Sequence, residues 1–336
     1  MEKQDLRIVF MGTPEFAVES LRALVEGGYN VVAVVTQPDK PVGRHGSVLQ
    51  PSPVKQYAEA QGLPVLQPVK MKDPAFVEKL RGYTADLQAV VAFRMLPEVV
   101  WEMPRFGTFN VHAALLPQYR GAAPINWAVI NGEKQTGVTT FFLDHDIDTG
   151  RIILQRPFDI PDEADVEYVY GGLMRLGAQI AIDTIDLMLK GDGRVESIPQ
   201  ESLPALSEGD AGLHHAPKIF KETCQISWNQ PAKRIYDFVR GLSPYPGAWT
   251  MMVRDVASDE VNHQSVILKV FKTAKTDRLS DGAAGELVVE HNRLFVQCGD
   301  GQLELLEVQL SGKKRMAVKD FLNGFKDASL WRLEER

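Results

Sequence analysis

The chain has 336 residues, which predicts about two domains, and its 44% hydrophobic and 24% charged residues are typical of a folded globular protein rather than a disordered or fibrous one. Its net charge of -7 disfavours a nucleic acid as partner of the whole chain, although residues 212–336 carry 18 Lys and Arg against 16 Asp and Glu. No apolar run approaches the roughly 18 residues of a membrane span, no secretion signal is recognisable, and the two cysteines exclude a disulfide framework. We therefore expect a cytoplasmic enzyme that does not bind a membrane.

Strands and helices alternate along the first half of the chain. Apolar runs predict strands at 6–11, 30–37, 63–68, 86–93 and 108–113, and helical spacing predicts helices at 15–28, 52–62, 74–83 and 123–133. Residues 39–53 are rich in glycine and proline and are predicted to form a long loop. Further strands at 137–144 and within 145–160 precede a long helix at 167–191. This order predicts an α/β fold with a doubly wound, mostly parallel, Rossmann-like sheet covered by helices on both faces.

The pattern changes after Gly191. Residues 193–212 lack a clear period and are predicted to be a linker. A helix at 230–242 follows, and then come short strands at 247–253, 265–274, 285–290, 293–299 and 301–310. Short strands separated by turn residues predict a small closed or partly open β-barrel. The predicted domains are therefore 1–192 and 213–331, joined by that linker, and the basic balance of the second fits a bound polyanion.

The segment FNVHAALLPQYRGAAP places an amide and an imidazole on one side of a strand. Asn110 and His112 are two residues apart, so their side chains point to the same face. A parallel sheet binds its ligand at the carboxyl ends of its strands, and we expect the strand at 137–144 to end at that same edge. The turn after it offers three carboxylates, those of Asp144, Asp146 and Asp148.

Such a set suits acyl transfer. An asparagine N–H can stabilise an oxyanion, a histidine can move a proton near neutral pH, and a carboxylate can orient the imidazole. No serine or cysteine is an evident nucleophile in these segments, so the attacking group is expected to belong to the substrate.

Each of these residues also has a structural interpretation. A lone histidine on a strand is more often structural than catalytic, Asn110 can cap a turn, and acids near a histidine can bind a metal. The apolar turn at 115–117 fits core packing as well as backbone polar groups that face a flat ring. Gly12 lacks the G-x-G-x-x-G pattern and no phosphate-binding loop with lysine occurs, which disfavours a nicotinamide enzyme. Spacing alone leaves catalysis and structure about equally supported.

Longer segments resemble one known family, the methionyl-tRNA formyltransferases. In the first half they are FMGTPEFAVESL, TQPDKPVGR, PSPVK, FNVHAALLPQYRGAAPINWAV and GVTTFFLDHDIDTG. In the second half they are KIFKETCQISWNQPAKRIYDFVRGLSPYPGAWT, GDG and GKKRM. The resemblance spans nearly the whole chain, whereas the N-x-H…D part alone is shared by other enzymes that use 10-formyltetrahydrofolate. It implies formyl transfer from 10-formyltetrahydrofolate to the amino group of methionine on initiator tRNA, without a metal, by an enzyme that we expect to be a monomer.

The resemblance also implies roles for individual residues. By motif position Asn110, His112 and Asp148 are the expected catalytic set, and Asp144 and Asp146 are not part of it. The expected folate contacts are Phe93, Arg94, Met95, Leu96, Pro97, Ala114, Leu115, Leu116 and Pro117. The loop 39–53, with Lys40 and Arg44, and an OB-fold-like second domain are expected to contact the tRNA. Lys313, Lys314 and Arg315 can form a solvated turn, but their place in the basic half favours phosphate contact.

Two positions depart from the family pattern. Arg94 stands where a glycine is expected, and it can point to solvent or touch the folate tail. Residues 45–47 read His-Gly-Ser where a more basic run is expected, which lowers the expected strength of the tRNA contact.

Other functions remain to be weighed against this one. The closest rivals are formyl transfer to glycinamide ribonucleotide or to an amino sugar, and a tRNA-binding protein without activity. The large second domain argues against the first, the lack of a dehydrogenase-like domain against the second, and the intact residues 110, 112 and 148 against the third.

Overall fold

The computed structural model describes residues 1–42, 48–203, 212–255, 263–325 and 327–334. Its contacts define two compact units: the first comprises 1–124, 135–159 and 170–216, and the second comprises 125–134, 160–169 and 217–336. Within the described residues, no helix combines the length and apolar character needed to cross a bilayer.

The first unit contains most of the helices and a long sheet. Its strands are β1 (Ile8–Gly12), β2 (Val31–Val35), β3 (Lys40–Val42), β4 (Val48–Gln50), β5 (Val65–Leu66), β6 (Leu87–Val91), β7 (Thr108–His112), β8 (Arg120–Gly121), β9 (Gln135–Phe142), β10 (Ile152–Asp159) and β11 (His215–Ala216). Its helices are α1 (Glu15–Glu26), α2 (Pro53–Ala60), α3 (Pro74–Arg81) and α4 (Glu98–Trp101). Helix α5 (Pro124–Ile130) continues into the second unit, and α6 (Val166–Lys190) begins in the second unit and ends in the first.

The main sheet has the order β10-β9-β7-β6-β1-β2-β5. The five strands from β7 to β5 are parallel, and β9 and β10 are antiparallel to their neighbours. Every residue of β1 and β6 is buried, as expected for apolar runs covered on both faces. Helix α3 packs Phe76, Val77 and Leu80 into the same cluster as Val9 and Met11. The predicted mostly parallel α/β fold is confirmed.

The prediction of a long irregular loop at 39–53 was wrong. Strands β3 and β4 pair antiparallel, with Pro41 opposite Leu49. A two-stranded ribbon tolerates this proline because each strand has a side that needs no ladder partner. An ion pair between Lys55 Nζ and Asp39 Oδ2, 2.8 Å apart, lies beside the start of β3. Residues 43–47, including Arg44, lie outside the described residues.

The second unit is dominated by an antiparallel sheet. Its elements are α7 (Ala232–Gly241), α8 (Val318–Gly324), β12 (Ala248–Asp255), β13 (His263–Leu279), β14 (Leu287–Glu290), β15 (Arg293–Gln297), β16 (Gly301–Leu310), β17 (Met316–Ala317) and β18 (Arg332–Leu333). The order is β14-β15-β16-β13-β12-β18, with β17 on β16. A β-bridge between Glu286 and Arg332 joins the two edges of the sheet, and there the backbone N–H of Leu333 donates to the carbonyl oxygen of Gly285 at 2.7 Å. The sheet is therefore a partly closed barrel around an apolar core that includes Trp228, which has no exposed surface.

Candidate active site

Strand β7 carries the amide and the imidazole predicted to work together. Thr108, Phe109, Val111 and His112 are buried, whereas Asn110 is half-buried. Asn110 and His112 alternate along the strand and so share one face of the sheet. Within the described residues the Asn110 side chain makes no hydrogen bond in the protein, so its N–H donors remain available to a ligand.

The strand that follows runs in the opposite direction from the one expected. Strand β9 is antiparallel to β7, with Phe142 opposite Phe109 and Thr139 opposite His112. The end of β9 therefore lies at the start of β7, and the expectation that both strands end at one edge was wrong. A helix between two strands is typical of a parallel crossover, which is why the sequence suggested the other direction. The segment 143–151 returns along the sheet and brings Asp148 to His112.

The imidazole of His112 is held between a carbonyl oxygen and a carboxylate. Its Nε2 is 2.9 Å from the carbonyl oxygen of Tyr119, and its Nδ1 is 3.8 Å from Oδ2 of Asp148. A carbonyl oxygen only accepts hydrogen bonds, so Nε2 carries a proton and Nδ1 is the nitrogen that gains or loses one. When Nδ1 is protonated, His112 and Asp148 form an ion pair with both side chains largely buried, at 7% and 12% exposure.

The Asp148-Thr149-Gly150 sequence is explained by the turn it forms. Asp148 has a left-handed backbone with φ 57°, which aspartate tolerates better than most side chains. Its Oδ2 accepts a hydrogen bond from the backbone N–H of Gly121 at 2.9 Å. A Cβ at Gly150 would lie 1.7 Å from the carbonyl oxygen of Phe142, so only glycine fits there. Asp148 thus reaches His112 because of two special backbone positions.

The other two acids of this turn do not join the pair. Asp144 and Asp146 are exposed, and Oδ1 of Asp144 accepts from the backbone N–H of His145 at 2.7 Å. Across the part of the chain that the structure describes, no three His, Cys, Asp or Glu residues are placed to hold a metal ion.

The turn after β7, predicted to contact folate, is held by hydrogen bonds from side chains of β9 and β10. Thr139 Oγ1 donates to the carbonyl of Ala114 at 2.6 Å and accepts from the N–H of Leu116 at 3.1 Å. Gln155 Nε2 donates to the carbonyl of Leu116 at 2.8 Å. Ala114, Leu116 and Pro117 are buried and Leu115 is partly buried. Several backbone groups of this turn therefore have partners within the protein, and its folate contact stays a prediction.

The second predicted folate segment follows the neighbouring strand β6. Leu96 is buried in the apolar cluster with Phe93 against it, whereas Met95 is 70% exposed. Arg94 Nη1 donates to the carbonyl oxygen of Val69 at 2.9 Å, and Nη2 donates to that of Pro68. Burial lowers the pKa of its guanidinium. Arg94 therefore ties two loops of the first unit together. Pro97 immediately precedes helix α4.

The predicted tRNA-binding residues differ in whether an acidic side chain of the protein already pairs with their charge. Lys40 on β3 and Lys313 and Lys314 in the turn after β16 are exposed. Arg315 donates from Nε to Glu307 Oε2 at 2.7 Å and stacks on Phe271, so its charge is already paired.

Sequence reasoning did not identify the residues that support the pair. Tyr119, Thr139, Gln155 and Gln200 carry no motif signal of their own in a single sequence. The partners of Thr139, Gln155 and Gln200 lie 25, 39 and 52 residues away, and only the fold brings them together. Tyr119 is seven residues from His112, but no pattern indicates that its backbone carbonyl meets the imidazole. Gln200 even belongs to the range assigned to a linker.

Family models match both units. The formyl transferase model matches residues 6–185, and the model of the formyl transferase C-terminal domain matches 218–326. The methionyl-tRNA formyltransferase of Parabacteroides distasonis is 61% identical over 327 residues, which is 97% of this chain and 98% of the relative. The chain belongs to the methionyl-tRNA formyltransferase family. The resemblance noted in the sequence is thereby confirmed.

Solved structures of more distant proteins share the fold. An N-formyltransferase from Helicobacter canadensis, in complex with folinic acid and dTDP-3-aminofucose, has a TM-score of 0.60 at 17% identity and matches 89% of this chain and 98% of its own. HypX from Aquifex aeolicus, in complex with tetrahydrofolic acid, has a TM-score of 0.58 at 17% identity over 95% of this chain. The chain spans about half the length of HypX, 47%.

Proposed function

We propose that this protein transfers a formyl group from 10-formyltetrahydrofolate to the free amino group of methionine on initiator methionyl-tRNA. Family membership over nearly the full chain supports this activity. The observation that carries the assignment of residues is the buried His112–Asp148 pair beside the available amide of Asn110. The two predicted folate segments leave adjacent parallel strands, β6 and β7, at the carboxyl edge where α/β sheets bind ligands.

The folate co-substrate supplies the formyl group, and the methionine nitrogen forms a bond to the formyl carbon as the bond to the folate nitrogen breaks. Asn110 donates a hydrogen bond to the oxygen that becomes negative as the carbon turns tetrahedral. His112 exchanges a proton at Nδ1, because Nε2 is occupied by the Tyr119 carbonyl. The amine loses one proton and the departing folate nitrogen gains one, so the histidine ends unchanged. Asp148 holds the imidazole and stabilises its positive form.

The second unit is proposed to bind the tRNA, together with the β3–β4 pair. Lys40, Lys313 and Lys314 are exposed cations suited to phosphate, whereas Arg44 lies outside the described residues. We expect a monomer that acts in the cytoplasm. We also expect catalysis without a metal, so a chelator should leave the rate unchanged.

The test is a formyl-transfer assay with three acceptors side by side. Purified protein and 10-formyltetrahydrofolate are offered charged initiator tRNA, glycinamide ribonucleotide or an amino-sugar nucleotide. Formylation of the tRNA alone supports the proposal. Faster transfer to either small acceptor contradicts it, and tRNA binding without transfer to any acceptor would reveal a binding protein.

A further inference from the structure

Gln200 is a buried glutamine at the edge of the site, and both polar atoms of its carboxamide make hydrogen bonds. It begins a short 3-10 turn, Gln200–Ser202, and is 2% exposed. Its Nε2 donates to the carbonyl oxygens of Asp148 and Gly150, both at 2.8 Å. Its Oε1 accepts from Nε of Arg120 at 3.1 Å and from Nη2 at 2.5 Å. One side chain thus joins two segments that both contact the catalytic pair.

Asp148 is held at two places, its carboxylate and its main chain. The backbone N–H of Gly121, next to Arg120, donates to Oδ2 of Asp148. Gln200 binds the main chain on either side of Thr149, just where Asp148 adopts its left-handed conformation. A shift of either segment would change the 3.8 Å separation between Asp148 Oδ2 and His112 Nδ1.

The segment that carries Gln200 does not depend on this side chain to stay in place. Ile198 and Ile152 exchange two backbone hydrogen bonds, each of 2.8 Å. These bonds attach the segment to the start of β10. The backbone therefore anchors this segment, and the carboxamide of Gln200 makes its hydrogen bonds to two other segments.

We propose that Gln200 is a positioning residue for formyl transfer: its carboxamide ties the strand at Arg120–Gly121 to the turn at Asp148–Gly150 and so sets the distance between Asp148 and His112. The proposal rests on the proposed function, in which that pair holds and moves the proton. Gln200 itself contacts neither substrate. It acts only through the carboxylate that it places.

The first test replaces Gln200 by methionine, which keeps the volume and removes every hydrogen bond. The matched control is Gln297→Met in the second unit, because Gln297 is also 2% exposed and its carboxamide also bonds on both sides, to Ser280 and Asp281. Since a displacement of about 1 Å can cost on the order of 100-fold in rate, we expect kcat of Gln200→Met to fall by about 10- to 100-fold. KM for both substrates should change by less than about threefold, and Gln297→Met should keep the wild-type kcat.

A double-mutant cycle separates positioning from general loss of structure. If Gln200 acts through Asp148, then adding Gln200→Met to Asp148→Asn should lower kcat little further. Two results would overturn the proposal. In the first, the fold-loss of kcat in the double variant equals the product of the losses in the two single variants. In the second, kcat of Gln200→Met alone is unchanged. Circular dichroism melting checks the fold, and Gln200→Glu is the second variant if the methionine variant does not fold. That variant retains Oε1 for Arg120 and loses only the two N–H donors, so it should reproduce the kcat loss.

A measurement without substrates keeps this proposal separate from the function it rests on. The ring resonances of His112, assigned by their loss in His112→Asn, are followed by NMR over a pH titration. We expect the titration midpoint to move in Gln200→Met and to stay in place in Gln297→Met. An unmoved midpoint in Gln200→Met contradicts the positioning role. Failure of the wild-type protein to formylate methionyl-tRNA would instead contradict the proposed function, whatever the titration shows.

Discussion

The two units use their polar side chains in different ways. In the first unit, the neutral side chains of Thr139, Gln155 and Gln200 bind backbone groups of the turns around His112 and Asp148. In the sheet of the second unit, partly exposed arginines pair with glutamates: Arg278 with Glu290, Arg293 with Glu304 and Arg315 with Glu307. The first arrangement determines backbone positions, and the second distributes surface charge.

This difference teaches where a polar substitution should matter. Exposed ion pairs contribute little to stability because solvent and salt screen them. A buried carboxamide that loses its partners leaves unpaired backbone groups and allows a turn to move. The second unit therefore depends mainly on its apolar core around Trp228, apart from the buried Asp237–Arg240 pair on α7. Polar substitutions in the first unit should affect catalysis, and those on the second unit's sheet should affect charge-dependent binding.

The largest expected effect is at Asn110. Removing one oxyanion donor typically costs about 100- to 1000-fold in turnover, so kcat of Asn110→Ala should fall by that factor. Steady-state formylation of methionyl-tRNA measures it. The control is Asn126→Ala, a half-buried asparagine of the second unit that donates to the carbonyl of Gly241. Near-normal turnover in Asn110→Ala would contradict its role as oxyanion donor. An equal loss of kcat in both variants would contradict the expectation that polar substitutions affect catalysis mainly in the first unit.

The next effect is expected at Gly150. In Gly150→Ala the new Cβ would meet the carbonyl oxygen of Phe142 at 1.7 Å, so the turn that carries Asp148 must shift. A shift of about 1 Å corresponds to on the order of a 100-fold loss of kcat. The control is Gly324→Ala at the end of α8, where a Cβ would have no neighbour within 4 Å. Wild-type kcat in a folded Gly150→Ala variant would show that the position of this turn is not critical.

A smaller effect is expected in tRNA binding. Each lost phosphate contact reduces the slope of the logarithm of affinity against the logarithm of salt concentration by about 1. Replacing Lys313 and Lys314 together by alanine should therefore reduce the slope by about 2, measured as KM for methionyl-tRNA at several salt concentrations. Arg315→Ala should change the slope less, because Glu307 already pairs that charge. A tRNA affinity independent of salt would contradict the role of the second unit.

The smallest effect concerns the cysteines, both of which lie in the second unit. Burial raises the pKa of Cys298 from 9.0 to about 12 and also raises that of Cys224. The native protein should therefore react with a thiol reagent at pH 8 only as fast as this unit opens. Because the unfolded thiol ionises near pH 9.0 and the folded one near 12, the free energy of unfolding should decrease as pH rises above 9.0. Fast labelling of the native protein would contradict this, and Gly150→Ala should leave the labelling rate unchanged.

The first unit's elements were predictable because their signals are local. Apolar runs marked β1, β6 and β7, and helical spacing ended by glycine marked α1. The pairing of β3 with β4 was missed because Pro41 and the surrounding glycines suggest a loop, and the pairing depends on the partner strand rather than on either sequence. The direction of β9 was also missed, because strand direction too depends on the partner strand and not on the sequence of β9 alone.

The sequence by itself determined the family, the order of most elements and the residues to examine, namely Asn110, His112 and Asp148. The order of the elements follows from periodicity, and Asn110 and His112 follow from side-chain chemistry on one strand. The family and the choice of Asp148 among three acids follow from the resemblance of longer segments. Only the tertiary structure decided that Asp148 lies beside His112, that the backbone carbonyl of Tyr119 accepts a hydrogen bond from Nε2 of His112, and that Gln200 holds the turn of Asp148 by two hydrogen bonds. The contacts of Asp148 and Gln200 join segments far apart in the chain, and the contact of Tyr119 depends on the path of the turn after β7. A local pattern carries no information about these distances.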